Sequence, residues 1–303
     1  MPKGIKSLRG FVQRIESLQQ DTQGTLFYRG HTKRSFRQMP SVFREDGYRK
    51  NERQMLYSLM SESPREFDND RYTFDKLVRA QHYGIPTRLL DVTTNPLMAL
   101  YFACEKDFSS RGQVIIYEVP ADLIKYSMSD TVSCASNLVH LNEQEKFDIL
   151  AAIRESIKEN FPGTRTQRLR TLRSQDEEKY YQMVEDVNEY KIFDRLVQFI
   201  REEKPYFRNE IDPLDLVRAH VTIPKKNNPR VLAQSGAFLL FGLQLELVRT
   251  NMPDVKTQVI DIAPSDKKPM LKSLNSVGIY ENSVYPELDR AANKIKNFYI
   301  SED

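Results

Sequence analysis

Residues 81–106 read QHYGIPTRLLDVTTNPLMALYFACEK, and three structural signals follow one another in them. Gly84 and Pro86 close the helical run that precedes them, because glycine serves just past a helix and proline cannot continue its hydrogen-bond ladder. The apolar run around Leu89, Leu90 and Val92 then predicts a short strand. Thr93-Thr94-Asn95-Pro96 is a turn that opens a helix, with Asn95 as N-cap and Pro96 at the first helical position, running to about Lys106.

On the N-terminal side, the spacing of Phe74, Leu77, Val78 and Tyr83 predicts a helix over 72–83, and 49–62 reads as another. Ile5, Leu8, Phe11, Val12, Ile15 and Leu18 predict an amphipathic helix over 5–20 that ends in Asp21–Gly24. LFYRG, residues 26–30, is aromatic-rich with a glycine stop and predicts a buried strand that delivers Arg29 at its end. On the C-terminal side, GQVIIYEVP (112–120) is a continuous strand signal. Residues 121–220 change character and become charged and helical in spacing. Strand signals resume at AHVTIP (219–224), RVLAQSGAFLLFG (230–242) and VKTQVIDIAP (255–264), and two closing helices are expected over 267–277 and 287–300. The expected class is α+β, a mixed β core split by a helical insertion. The organisation reads as an N-terminal helix at 1–24, a first core segment at 25–120, the insertion at 121–222 and a second core segment with its closing helices at 223–303.

Composition narrows the function classes. The 303 residues hold 45 Lys and Arg against 42 Asp and Glu, a formal charge of +3, which permits a nucleic-acid partner without requiring one. Basic residues concentrate at Lys33, Arg34, Arg37 and Arg44 and at Arg165, Arg168, Arg170 and Arg173, runs that solvated helix faces also explain. Two cysteines make no disulfide framework, so a reducing, cytoplasmic location is expected. No apolar run is long enough for a signal peptide or a membrane span, and no membrane partner is expected. The four histidines are scattered and no metal-ligand spacing is present, so no metal is expected. Neither a P-loop nor a dinucleotide glycine fingerprint occurs.

Three constellations carry chemistry. Arg29 precedes Gly30 and His31, so a strand presents a planar guanidinium, suited to phosphate or carboxylate, where glycine allows close approach. The second is the polar segment from Gln81 to Asn95, with His82, Arg88, Asp91, Thr93 and Thr94, placed where a strand opens into a helix N-terminus that favours an anion. An Arg88–Asp91 pair and a satisfied buried His82 are the structural alternatives. The third is Arg230 with Gln234, Ser235, Gly236 and Phe238, for which a glycine bulge beside an incidental glutamine is the alternative.

LFYRGH, AQHYGIPTRLLDVTTNPLMALYFAC, the R-x-x-x-Q-x-G-x-F pattern from Arg230 to Phe238 and ELDRAANKIK (287–296) together resemble the FRG domain of bacterial proteins. Val92 departs from the family, which usually has tryptophan there. A second similarity, to mono-ADP-ribosyltransferases, rests on YRG at a first strand and on strand–Thr-Thr–helix with Ala99 and Phe102. It implies an ADP-ribosyltransferase-like core and NAD as substrate. It further implies Arg29 on an NAD phosphate, Thr93 or Thr94 supporting the nicotinamide ribose, and Gly30, His31, Arg88 and Asn95 completing the cofactor contacts. That family uses a glutamate on a later strand, where this chain offers Gln234, which can hydrogen-bond a hydroxyl but carries no negative charge. Asp91, Glu281 and Glu287 are the candidates to supply the acid. The expected catalytic set is Arg29, His82, Asp91 and Gln234. The functional expectation is a bacterial toxin or antiphage effector that transfers ADP-ribose from NAD to nucleic acid or protein, with an antitoxin as a possible further partner. A metal-independent ribonuclease using His82 and His31, and a non-catalytic binding module, are the alternatives.

Overall fold

The computed structural model describes residues 5–162, 169–243 and 255–286. Among the described residues seven strands form one sheet: β1 (Thr25–His31), β2 (Leu89–Thr93), β3 (Gly112–Val119), β4 (Ile124–Tyr126), β5 (Ala219–Ile223), β6 (Gly236–Phe241) and β7 (Lys256–Ile262). Their order is β4-β5-β6-β2-β1-β3-β7. Among these described strands β4 and β5 run parallel and the other neighbouring pairs antiparallel.

The pairing is uneven, and the unevenness positions the site. β1 and β3 match over their whole length, from Thr25↔Val119 to His31↔Gln113, and β2 and β6 match from Leu89↔Leu240 to Thr93↔Gly236. Between β1 and β2, by contrast, the described register is the single pair Tyr28↔Thr93. The sheet is therefore two well-knit halves joined at one point, and beyond Tyr28 the strands diverge. Arg29 stands in the gap.

Among the described residues fourteen α-helices accompany this sheet. α1 (Leu8–Gln20) starts on a Ser7 cap, and its Phe11, Ile15 and Leu18 are buried. α2 (Asp46–Lys50), α3 (Glu52–Glu62) and α4 (Thr73–His82) precede β2, and α5 (Pro96–Cys104) follows it with Asn95 as N-cap and Pro96 at its start, as the turn signal predicts. Six helices lie between β4 and β5: α6 (Asp130–Asn137), α7 (Glu143–Asn160), α8 (Leu169–Gln175), α9 (Glu177–Asn188), α10 (Lys191–Glu203) and α11 (Pro213–Val217). They enclose a hydrophobic cluster of their own that includes Ile153, Met183, Phe193 and Ile200. The strands on either side of this helical segment pair in the same sheet, with residues 121–126 adding a short turn and β4 before the first of these helices begins. α12 (Pro229–Ala233), α13 (Pro264–Ser276) and α14 (Glu281–Val284) complete the described chain. The helix expected at 287–300, with Glu287, lies outside the described residues, as do Arg165 and Arg168.

Alternation along the strands separates the cores. Tyr28, Val114, Ile116, Ile260 and Ile262 bury one face against α1, α5 and α13. Phe27, Val92, Ile115, Tyr117 and Leu239 share the opposite cluster. Leu89, Phe238 and Leu240 pack with Leu56, Phe74 and Leu77 of α3 and α4. Among the described residues no helix is long and apolar enough to cross a membrane.

Candidate functional site

β1 breaks its hydrophobic run with a cation at the point where β2 leaves it. Arg29 Nη1 donates to the carbonyl of Asp91 at 2.5 Å, which takes the place of main-chain pairing across the opening. Its Nε donates to His31 Nε2 at 2.9 Å, two residues along the same face of the strand. These bonds use two of the guanidinium's five N–H groups. Burial lowers the Arg29 pKa, and the Asp91 charge opposes that shift.

Because His31 Nε2 accepts from Arg29, the ring is neutral. Burial, followed by the charges of Arg29 and Arg44, pushes its pKa down to about 3. The other ring nitrogen faces the Gln113 side chain at 3.2 Å.

The opening between the halves is a cleft with two adjoining arms. One, of about 320 Å³, is walled by Arg29, Gln81, His82, Asp91, Arg230 and Gln234. The other, of about 280 Å³, adds His31, Phe36, Thr93, Phe102, Glu105 and Tyr285. Arg29, Arg44, Asp91, Arg230 and Gln234 line both. Three guanidinium groups thus meet two carboxylates, Asp91 and Glu105. The balance is cationic and favours an anionic ligand.

Each carboxylate is oriented by a neighbour. Gln81 Nε2 donates to Asp91 Oδ1 at 2.9 Å while its own carbonyl accepts from the Thr87 hydroxyl at 2.5 Å, so the amide cannot turn away. Tyr285 donates to Glu105 Oε2 at 2.9 Å and carries the Arg230 guanidinium over its ring at 5.2 Å. Arg44 is held by two bonds to the Met39 carbonyl at 3.2 and 3.3 Å. His82, on the last turn of α4, lines the cleft edge.

Several residues expected to touch a ligand are used elsewhere. Arg88 is buried and pairs bidentately with Glu52 at 2.8 and 2.5 Å, and its Nη1 donates to the carbonyls of Phe241 and Gly242 at 3.1 Å each. Lys146 joins the same carboxylate at 2.6 Å. Arg88 is a structural ion pair with Glu52, and neither a phosphate ligand nor a partner of Asp91. Gly30 leaves space for protein: a Cβ there would stand 2.0 Å from the Ala99 carbonyl and 2.7 Å from the Ala103 nitrogen, so the glycine admits α5.

The Thr-Thr-Asn turn is likewise committed. Thr93 gives its hydroxyl proton to the Gln234 carbonyl at 2.7 Å and accepts from the Asn95 nitrogen at 2.9 Å. Thr94 bonds the Ser235 carbonyl through its hydroxyl and its nitrogen. Asn95 Oδ1 caps α5 at the Leu97 nitrogen. These residues clamp the loop that carries Gln234 onto the end of β2.

Gln234 is not on a strand. RVLAQSGAFLLFG divides into α12 and β6, with Gln234 as the C-cap between them and Ser235 at φ 47°. Its side-chain nitrogen donates to the Val284 carbonyl at 3.1 Å. Glu281, exposed at the start of α14, is not among the residues lining the cleft. Arg44, Arg230 and Glu105 complete the site. Arg44 reads in sequence as part of a basic run, and Glu105 is a helix-end residue that no motif singles out.

Residues 24–112, which hold β1, α2 to α4, β2, α5 and the start of β3, match the family model of the FRG domain. The match holds Arg29, Gln81 and Asp91, whereas the wall made by Arg230, Gln234 and Tyr285 lies beyond it. Neither the curated proteins nor the solved structures contain a match to this chain.

Proposed function

We propose that the cleft binds NAD and transfers its ADP-ribosyl group to an acceptor, nucleic acid before protein, in the manner of a toxin or antiphage effector. One observation carries the reading: Arg29 of β1, the threonine-rich end of β2 and the Gln234 loop ahead of β6 meet where the sheet splits. These are the three places at which an ADP-ribosyltransferase-like core would hold its donor. Arg29 and Arg44 would face the diphosphate, where fork-shaped donors suit paired phosphate oxygens.

Transfer breaks the bond between ribose C1′ and the nicotinamide nitrogen, whose electron pair leaves with nicotinamide. An acceptor nucleophile forms the new bond at C1′ and releases a proton. Positive charge builds at C1′ as the bond loosens, and a preoriented carboxylate stabilises it. Gln234 has no charge to offer, so we assign that role to Asp91, fixed by Gln81. Thr93 and Asn95 act at one remove by holding the Gln234 loop.

The ribonuclease alternative is weaker. It would use His82 with His31 as its second acid or base, and a pKa pushed down to about 3 keeps the His31 ring neutral and leaves His82 without that partner. NAD titration followed by thermal shift, with chromatography of released nicotinamide, tests the proposal. Wild-type protein should be stabilised by NAD and release nicotinamide, Asp91→Asn should bind but not turn over, and Arg29→Ala should lose both. Absence of any NAD-dependent shift and of nicotinamide release refutes it and leaves a binding module.

A further inference from the structure

Beside the cleft, past His82 and Arg230, lies a third hollow of about 330 Å³, lined also by Arg79, Tyr83 and Asn227. His82, Asn228 and Arg230 line both it and the cleft, so the two adjoin. Tyr83 is the notable wall. Its side chain is 51% exposed, although a large aromatic ring normally gains by burial. It is also held in place. The hydroxyl donates to Glu66 Oε2 at 2.7 Å, and the His82 ring meets it nearly perpendicularly at 5.3 Å between centroids. A solvent-facing ring fixed at two points is a preorganised stacking platform.

The remaining lining specifies what could stack there. None of the described residues lining the hollow is a carboxylate, and the nearby Glu66 and Asp70 both pair with Arg79, so the countercharge a guanidinium or ammonium acceptor would need is already taken up. Arg79 is neutralised from outside by Asp70, and Arg230 supplies the positive charge at the boundary with the cleft. Asn227 offers an exposed amide, which can both donate to and accept from a base edge. A planar, neutral, edge-polar ring with a phosphate nearby meets all three conditions.

We infer that this hollow takes an unpaired nucleobase of a single-stranded nucleic acid, stacked on Tyr83 with a neighbouring phosphate on Arg230, and so presents the acceptor to the cleft. The inference rests on the NAD reading for its catalytic meaning, but the binding itself can be measured without NAD. The experiment is fluorescence anisotropy with short, labelled, mixed-sequence single strands of RNA and of DNA. Wild-type protein should bind at least one of them. Tyr83→Ala should weaken binding roughly 10- to 100-fold, the range expected for one lost base stack, and Tyr83→Phe should retain most of the affinity. Arg230→Gln should weaken binding and flatten its salt dependence by about one phosphate contact. No strand binding by wild type, or equal binding by Tyr83→Ala, overturns the inference even where NAD is turned over. Tyr83-dependent strand binding by a protein that shows neither an NAD-dependent shift nor nicotinamide release upholds the base pocket and refutes the NAD reading instead.

Discussion

Arg29 and Arg88 show how far one residue type can diverge in role. Arg29 follows an aromatic run and precedes Gly30 and His31, and Arg88 follows a Gly-Ile-Pro-Thr turn and precedes Leu89 and Leu90, yet both fall in polar motifs that assign them the same anion-binding part. The structure separates them by partner: Arg29 faces a cleft, and Arg88 is locked to a buried Glu52. That pairing spans 36 positions and obeys no helical or strand spacing, so it is not legible until the fold brings α3 against the start of β2. Arg88→Met should remove the fork that neutralises Glu52, leave Lys146 as the remaining ion partner, and cost about 3–5 kcal/mol of unfolding free energy. The Glu52 pKa is lowered to about 2: burial alone would raise it, but Arg88 and Lys146 together overcome that. A depressed carboxylate contributes stability that is present above its unfolded value, near 4.5, and lost as pH falls toward 2. Urea unfolding at neutral pH decides the point. If Arg88→Met and wild type have equal midpoints, the pair is not structural.

At the scale of elements, the same signal was legible at one site and hidden at another. Asn95-Pro96 announces α5, and Asn228-Pro229 opens α12 with the same geometry, its Oδ1 accepting from the Arg230 nitrogen at 2.9 Å. The apolar run GAFLLFG overshadows that second cap, and a five-residue helix is too short to show periodicity. Gln234 consequently reads as a strand residue when it caps a helix. Its loop is tied down by Thr93, which makes Thr93→Val informative: the shape is kept while one donated and one accepted bond are lost. Each bond contributes about 1 kcal/mol net, and leaving the Gln234 carbonyl without this partner costs more, so a loss of about 1–3 kcal/mol is expected. On the proposed reading NAD affinity should fall with it, because the loop forms one cleft wall. Calorimetric unfolding and NAD titration of the same variant check both. Unchanged affinity in a destabilised protein would detach the loop from the site.

Gly30 tests the contact that sets the cleft's opposite border. An added Cβ meets backbone atoms of α5, which cannot rotate away as a side-chain tip would. Gly30→Ala should therefore push α5 from β1 and cost about 1–3 kcal/mol or more by overpacking. Thermal unfolding reads this directly. A variant as stable as wild type would show that the helix can shift at little expense.

Over the whole molecule, sequence periodicity places most elements within a few residues but says little about how the strands pair. The division of the sheet at Tyr28↔Thr93 depends on contacts between strands more than 60 residues apart. The same assembly buries His31, His140 and His220, whose pKa values fall to about 3, 4 and 3, each mainly through burial. In the unfolded chain these rings take up protons near pH 6.5, while the native protein leaves them neutral until the pH is much lower. The unfolded state thus binds more protons between those limits, so stability falls as pH drops below about 6.5, by about 1.4 kcal/mol per pH unit for each ring. Asp75, Asp212 and Asp215 act in the opposite sense: burial raises their pKa values, so the native state takes up their protons first as the pH falls toward the carboxylate range. The histidine effect should dominate just below pH 6.5 and be offset further down. Urea midpoints measured at about pH 7.5, 6.5 and 5.5 should decline most steeply over the last interval, with an unchanged dependence on denaturant. A midpoint that stays level from pH 7.5 to 5.5 would mean that the three rings protonate in place, and the neutral His31 ring accepting from the Arg29 guanidinium would have to be abandoned.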